Sequence, residues 1–248
     1  MVTIVMAYHA RQKQLIKTLE SFRQYEPDKY NFCVIVVNDS GEELSLGCYP
    51  FEVIVRKPEN KTWSNPAPVF NIGFHYALTK NPDVIVIQNP ECFHMGDVLG
   101  RAMKVRDDAY LSFACYSQGE GEEAGSVIHN RCATFDGESA WYNHPVYRPV
   151  YYHFCSAITA KNLIKLNGFE ERFAYGVGYD DNYLVHQIRC LGLKIELVTD
   201  PIVIHQWHAR TQYKTDEATL FYKNRDIFEQ LSKEYNYRAQ HILTPDLQ

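Results

Sequence analysis

The sequence has no excess of positive charge: 25 Lys and Arg stand against 30 Asp and Glu, a net charge of −5. A protein that works on a phosphate backbone needs the opposite balance, so no nucleic-acid partner is expected. Long apolar runs are missing too. Stretches such as Phe32 to Val37 and Val84 to Ile87 fall far short of the roughly 20 residues that a membrane-spanning helix needs. No basic leader precedes the opening stretch MVTIVMAYHARQ and no small-residue cleavage site follows it, so it reads as a first strand, and the expected location is cytoplasmic, with peripheral attachment to a membrane left open. The seven cysteines are odd in number, scattered, and never in a C-x-x-C pair, which argues against both a disulfide framework and a thiolate metal cluster. No glycine precedes Gly41, so a glycine-rich phosphate loop cannot follow the first strand.

What the chain does have is apolar content: 248 residues at 46% hydrophobic can bury a core without staples. Short β-branched runs alternate with helix-period segments. Strands are expected at Val2 to Tyr8, Phe32 to Asn38, Glu52 to Arg56 and Asp83 to Gln88, with helices at Gln12 to Tyr25 and Ala67 to Leu78. This is the βαβ pattern of a mainly parallel sheet. A short helix from Val98 to Met103 and a strand from Tyr110 to Tyr116 follow. From Ser117 to about Val146 the periodicity disappears, and glycine, acid and aromatics there suggest a long loop or lid, with a hairpin as the alternative. Beyond it the pattern predicts a strand around Val150 to Ala157, a helix from Ala160 to Leu166 stopped by Asn167-Gly168, and a helix from near Asp181 to Cys190. Two strands, Ile195 to Val198 and Ile202 to His205, then precede a final helix from Asp216 to Tyr235.

Ligands of open α/β sheets bind beyond the carboxyl ends of the strands. Asn38-Asp39 and Asn89-Pro90-Glu91 occupy two such ends, although Asp39-Ser40-Gly41 is equally a turn sequence. Asp180-Asp181 opens a helix after glycines interleaved with Tyr175, Val177 and Tyr179. One carboxylate suffices to cap a helix, so the second is a candidate general base. His205 and His208 follow the last strand, and either could join Glu91 on a cation such as manganese, which accepts oxygen and imidazole together. Aromatics make up 14% of the chain, more than a core requires, and WYNHPVYRPVYYHF could stack on sugar faces or simply pack as a hairpin.

In the order AYHAR, VIVVNDS, FNIGFHYA, VIVIQNPE, NGFEERFAYGVGYDD and VIHQWH, from Val2 to Arg210, the chain resembles the nucleotide-diphospho-sugar glycosyltransferases of the GT-A fold, family 2, with a C-terminal stretch similar to that of the galactosyltransferases. The resemblance implies an α/β, Rossmann-like, mainly parallel sheet flanked by helices, with a loop-rich acceptor region. It implies one domain over residues 1–248: a nucleotide-sugar half to about 116, an acceptor and catalytic half over about 117–210, and a C-terminal helix and tail over 211–248. Ala7, Tyr8, Arg11, Asp39, Asn71, Gly73 and Asn89 match the donor-binding positions, Glu91 with His205 or His208 the metal site for Mn2+ or Mg2+, and Asp180-Asp181 the family's Glu-Asp pair. On that match Asp181 is the base and Asp180 holds an acceptor hydroxyl. Trp141, Tyr142 and Tyr179 are the candidate acceptor aromatics, with Trp63 and Trp207 expected near the donor site and the metal-site histidine. Three positions depart from the pattern: Asn38 and Asn89 stand where an Asp is common, and Phe70 where an Arg is common.

The implied activity is inverting transfer of a sugar from a UDP- or GDP-sugar to a hydroxyl of a carbohydrate or other acceptor. The alternative is a catalytically degenerate GT-A domain that binds a glycan or serves as a scaffold. A sugar-phosphate nucleotidyltransferase, built on a related sheet, would need the glycine-rich basic loop that is absent before Gly41.

Overall fold

The computed structural model describes residues 1–59, 61–122, 141–209 and 216–241. Its strands are β1 (Val2–Tyr8), β2 (Phe32–Asn38), β3 (Glu52–Arg56), β4 (Val84–Gln88), β5 (Cys92–Met95), β6 (Ala109–Ser117), β7 (Trp141–Asn143), β8 (Cys155–Thr159) and β9 (Lys194–His205). The helices are α1 (Gln12–Ser21), α2 (Ala67–Leu78), α3 (Val98–Ala102), α4 (Ala160–Leu166), α5 (Asp180–Cys190) and α6 (Glu217–Leu231).

Alternation along the strands sorts the core into two layers. Val2, Ile4 and Met6 of β1 and Val34 and Val36 of β2 pack with Leu15 and Leu19 of α1. Val5, Ile35 and Val37 face the other side, against Val69, Phe70 and Phe74 of α2 and Leu184 and Ile188 of α5. Strands covered on both faces need near-continuous apolar sequence, which is why β2 and β4 are so rich in Val and Ile. At Gly73 a Cβ would stand 2.4 Å from Val5 Cγ1, so only glycine lets α2 lie this close to β1.

The sheet runs β3-β2-β1-β4-β8-β6-β9-β5, with β7 paired to β6. β1 to β4 pair in parallel and β6 is parallel to β9, so β1, β2, β3, β4, β6 and β9 share one direction while β5, β7 and β8 oppose it. The expected mainly parallel sheet is therefore present. From β1 the chain winds outward to β2 and β3 on one side and to β4 on the other, which makes the carboxyl ends of these strands a switch-point crevice.

Several local expectations are corrected. β5 is an unexpected strand: with a histidine and a cysteine in four residues it has no periodic signal, and it exists because it pairs with β9, Cys92 opposite His205. The two strands expected at 195–198 and 202–205 are one, β9, which shifts register against β6 between Phe113 and Cys115. β8 starts at Cys155 rather than Val150, after Tyr151 turns to a left-handed φ of 64°. α1 ends at Ser21 and passes into a 3-10 turn over Phe22–Gln24. Of the expected lid, residues 123–140 lie outside the described residues, while β7 gives its far end an ordered strand. Among the described residues no helix is long and apolar enough to cross a membrane.

Candidate functional site

A cavity of about 560 Å³ opens at the switch point, lined by Ala7, Tyr8, Asp39, Asn89 and Glu91 from the strand ends, by His9 to Arg11, and by Lys61 and Trp63 to Pro66. That volume suits a nucleotide-sized ligand. Asp39 is placed by the sheet itself: its N–H donates to Tyr8 O at 2.7 Å, prolonging the β1–β2 ladder past its end. Its Oδ2 lies 2.8 Å from Lys61 Nζ and 3.8 Å from His9 Nδ1. Burial pushes the Asp39 carboxyl above its ordinary range, against the opposing pull of Lys61 and His9. Trp63 also lines the cavity, and its indole N–H faces the Asp39 carboxyl and lowers its pKa more weakly than Lys61 does.

Glu91 follows β4 and immediately precedes β5, and the β5–β9 pairing brings the end of β9 beside it. Glu91 Oε1 accepts from Arg11 Nη1 at 2.6 Å and lies 3.7 Å from His205 Nε2 and 3.5 Å from His208 Nε2. Burial alone would raise this carboxyl, but the two imidazoles and the Arg11 charge outweigh it and hold Glu91 well below the usual carboxylate range. Glu91, His205 and His208 can bring one ligand atom each to within 4.8 Å of one another, a mixed oxygen and nitrogen set that suits manganese. Gln206 fixes the loop between these residues by donating from its backbone and its side chain to Glu91 O and from its amide to Gln14 O and Thr18 Oγ1.

The carboxylate pair sits behind the opposite wall. Gly176 is pressed against Asn224 of α6 so closely that a Cβ would fall 2.1 Å from Asn224 Oδ1, and Asn224 Nδ2 donates to Phe173 O and Gly178 O. This clamp sets the turn that presents Asp180 and Asp181 in the first turn of α5. Asn65, which lines the cavity, donates to Asp180 Oδ1 at 2.8 Å. His153 Nδ1 approaches Asp181 Oδ1 at 2.5 Å; the nitrogen meets no hydrogen-bond geometry, so the contact is best described as an ion pair. Burial opposes protonation of His153, but the Asp181 carboxylate prevails and raises its pKa. Burial, reinforced by the Asp181 charge, pushes Asp180 up to about 6. These three groups could also gather on a cation, but Asn65 already holds Asp180 and His153 already faces Asp181.

The Asp180 shift has a measurable consequence. A folded-state value of about 6 against an ordinary 3.8 means that the folded chain holds this proton more tightly, so its contribution to stability falls as pH rises between those values and stays low above them. Asp180→Asn keeps an acceptor for Asn65 and removes the buried charge. It should stabilise the fold by on the order of 2–3 kcal/mol at about pH 7.5 and by little near pH 4, as read from urea melts.

Other expected site residues lie elsewhere. Asn71 does not line the cavity: its amide exchanges hydrogen bonds with Phe169 and donates to Glu171, tying α2 to the turn before α5. Gly73 lies at the α2–β1 contact. Trp141 is 7% exposed and packs edge-on against Tyr116, whereas the neighbouring Tyr142 ring reaches 4.6 Å from His205. Tyr179 turns toward α6, against Phe221 and Phe228. Trp63 lines the cavity, and exposed Trp207 stands between the two histidines. Sequence reading did not single out Lys61, Asn65 or His153. None of them has a spacing signal, since His153 and Asp181 are 28 residues apart and meet only through folding.

No family model and no curated protein matches the sequence. Solved structures do match. The Staphylococcus aureus TarS 1–349 structure in complex with UDP-GlcNAc superposes with a TM-score of 0.61 at 11% identity, covering 92% of this chain and 65% of that one. The same TarS segment with UDP gives 0.57 at 11% identity over 83% and 60%. GalNAc-T7 with UDP, GalNAc and Mn2+ gives 0.58 at 12% identity over 95% of this chain and 49% of that chain. This chain thus spans less than two thirds of the length of each. At such identities the likeness concerns architecture, and with the mainly parallel sheet and its switch-point cavity it shows that this chain has the GT-A glycosyltransferase fold.

Proposed function

We propose that the protein is an inverting, metal-dependent glycosyltransferase that takes its sugar from a nucleoside-diphosphate donor and passes it to a hydroxyl of a carbohydrate acceptor. The observation that carries this reading is one cavity lined by Asp39, Asn65 and Glu91, with His205 and His208 gathered on Glu91 and with Asn65 bonded to Asp180. Solved proteins of this fold hold UDP, UDP-GlcNAc and Mn2+. The retained acids favour an active enzyme over a degenerate binding module.

Asp39 and Trp63, both on the cavity wall, would receive the nucleoside. Glu91, His205 and His208 would hold Mn2+ or Mg2+, whose chemistry is to neutralise charge developing on the leaving diphosphate. The acceptor hydroxyl attacks the anomeric carbon from the face opposite the leaving group, its proton passes to an Asp181 carboxylate oxygen, and the bond to the nucleoside diphosphate breaks. Asp181 is the more accessible of the pair, with its side chain 29% exposed, whereas Asp180 is buried and bound to Asn65. Tyr142, beside His205, is the best-placed aromatic for a sugar face.

Nucleotide binding tests the reading directly. Asp39→Ala should weaken UDP or GDP binding by about 1–3 kcal/mol in calorimetric titration. An unchanged affinity would remove Asp39 from the donor site, and no affinity for either nucleotide in the wild type would remove the nucleotide-sugar reading itself.

A further inference from the structure

Arg11 already holds one of the two Glu91 carboxylate oxygens, the one both imidazoles approach. Its Nη1 donates to Glu91 Oε1 at 2.6 Å, and the same oxygen is the one that His205 and His208 approach at 3.7 and 3.5 Å. The Glu91 side chain is only 7% exposed, so this small volume has little room for a second cation. Arg11 reaches it from an uncommon backbone: with φ 75° and ψ 49° it occupies the left-handed region just before α1, where a long L side chain is disfavoured. Its carbonyl there accepts from Gln14 and Leu15 and starts the helix. The Arg11 side chain is 27% exposed and lines the cavity, so a guanidinium released from Glu91 would remain in the donor pocket.

We propose that Arg11 is a resident counter-cation that competes with the divalent metal for Glu91, so that the metal loads by displacing the guanidinium. This rests on the reading that Glu91, His205 and His208 form the metal site. Two cations cannot share one buried carboxylate oxygen without strong repulsion, so metal and Arg11 exclude each other there. A nucleoside diphosphate supplies the displaced guanidinium with a new anionic partner, and guanidinium binds phosphate well. Metal and diphosphate therefore strengthen each other's binding through Arg11 in addition to any direct contact, and by linkage the coupling is reciprocal.

The test is metal affinity in the full chain, measured without turnover. Mn2+ titrated alone, with free ion followed by electron paramagnetic resonance, should bind Arg11→Met about tenfold or more tightly than wild type, the scale of one lost charge-assisted hydrogen bond. Arg11→Lys, which keeps the charge and loses the planar fork, should fall between them, and Glu91→Gln should abolish binding. Mn2+ should also raise the melting temperature of Arg11→Met more than that of wild type. Added UDP, corrected for its own chelation of Mn2+, should tighten Mn2+ binding more in wild type than in Arg11→Met. Equal or weaker Mn2+ affinity in both Arg11 variants overturns the proposal, as does Mn2+ binding by none of the proteins. If UDP binds no variant while Arg11→Met still gains Mn2+ affinity, the cation exchange stands and the nucleotide-sugar reading fails.

Discussion

Asp181→Asn should lower the transfer rate about 10²–10⁴-fold while nucleotide-donor affinity stays close to that of wild type. The substitution is nearly isosteric; it removes the carboxylate charge, and with it both the ability to accept a proton and the pairing with His153, while the donor cavity is formed by other residues. The geometry around the pair separates the two acids. Asp180 is 5% exposed and its Oδ1 is committed to Asn65 at 2.8 Å. Asp181 faces His153 on one oxygen, and its side chain is far more open. A transfer rate near wild type would rule Asp181 out as the base. Loss of donor binding in step with rate would instead assign it to the donor site, and a larger kinetic defect in Asp180→Asn would exchange the two roles.

The second large effect is expected at Glu91. Glu91→Ala removes the anion around which Arg11, His205 and His208 are arranged, so Mn2+ binding and metal-dependent transfer should both be lost. Folding stability should fall by about 3 kcal/mol near pH 7, the cost of breaking a largely buried ion pair from one side. The pH dependence follows from the depressed carboxyl. Its folded value lies below the ordinary 4.5, so its contribution is complete above that pH and is lost as pH falls toward and through the folded value. The stability gap between wild type and variant should accordingly be widest above about pH 5 and should shrink on further acidification, as urea melts across that range would show. Retained metal-dependent turnover in Glu91→Ala, or indifference of the wild type to chelator, would show that the metal site is misassigned.

Much of this architecture is written locally. The runs at Val2–Tyr8, Phe32–Asn38 and Val84–Gln88 are apolar on both faces, which fits the interior of a covered sheet, and α1 carries one apolar stripe while α2 is buried over most of its length. Acids just past those strands mark the binding end of the sheet, so Asp39 and Glu91 could be singled out from sequence. Asn71 and Gly73 could not be placed relative to the cavity in this way. Their residue types suit a donor site, but nothing in the local sequence tells whether a helix residue faces the cavity or the neighbouring turn, and here Asn71 binds Phe169 and Glu171.

Strands β1 to β4 and β6, the helices beside them and the residue types at the strand ends are legible segment by segment, because hydrophobic periodicity is a local property, whereas β5 carries no such signal. Which of those residues meet depends on long-range pairing and packing. Long-range strand pairing placed Cys92 opposite His205 and so put Glu91 beside both histidines. Loop packing set Asn65 against Asp180 and His153 against Asp181. The left-handed backbone at Arg11 delivered its guanidinium to Glu91. The pairs His153–Asp181 and Asn65–Asp180 are 28 and 115 positions apart, and the free energy of such contacts comes from burial and charge pairing that exist only once the chain has closed on itself, so no local pattern can encode them.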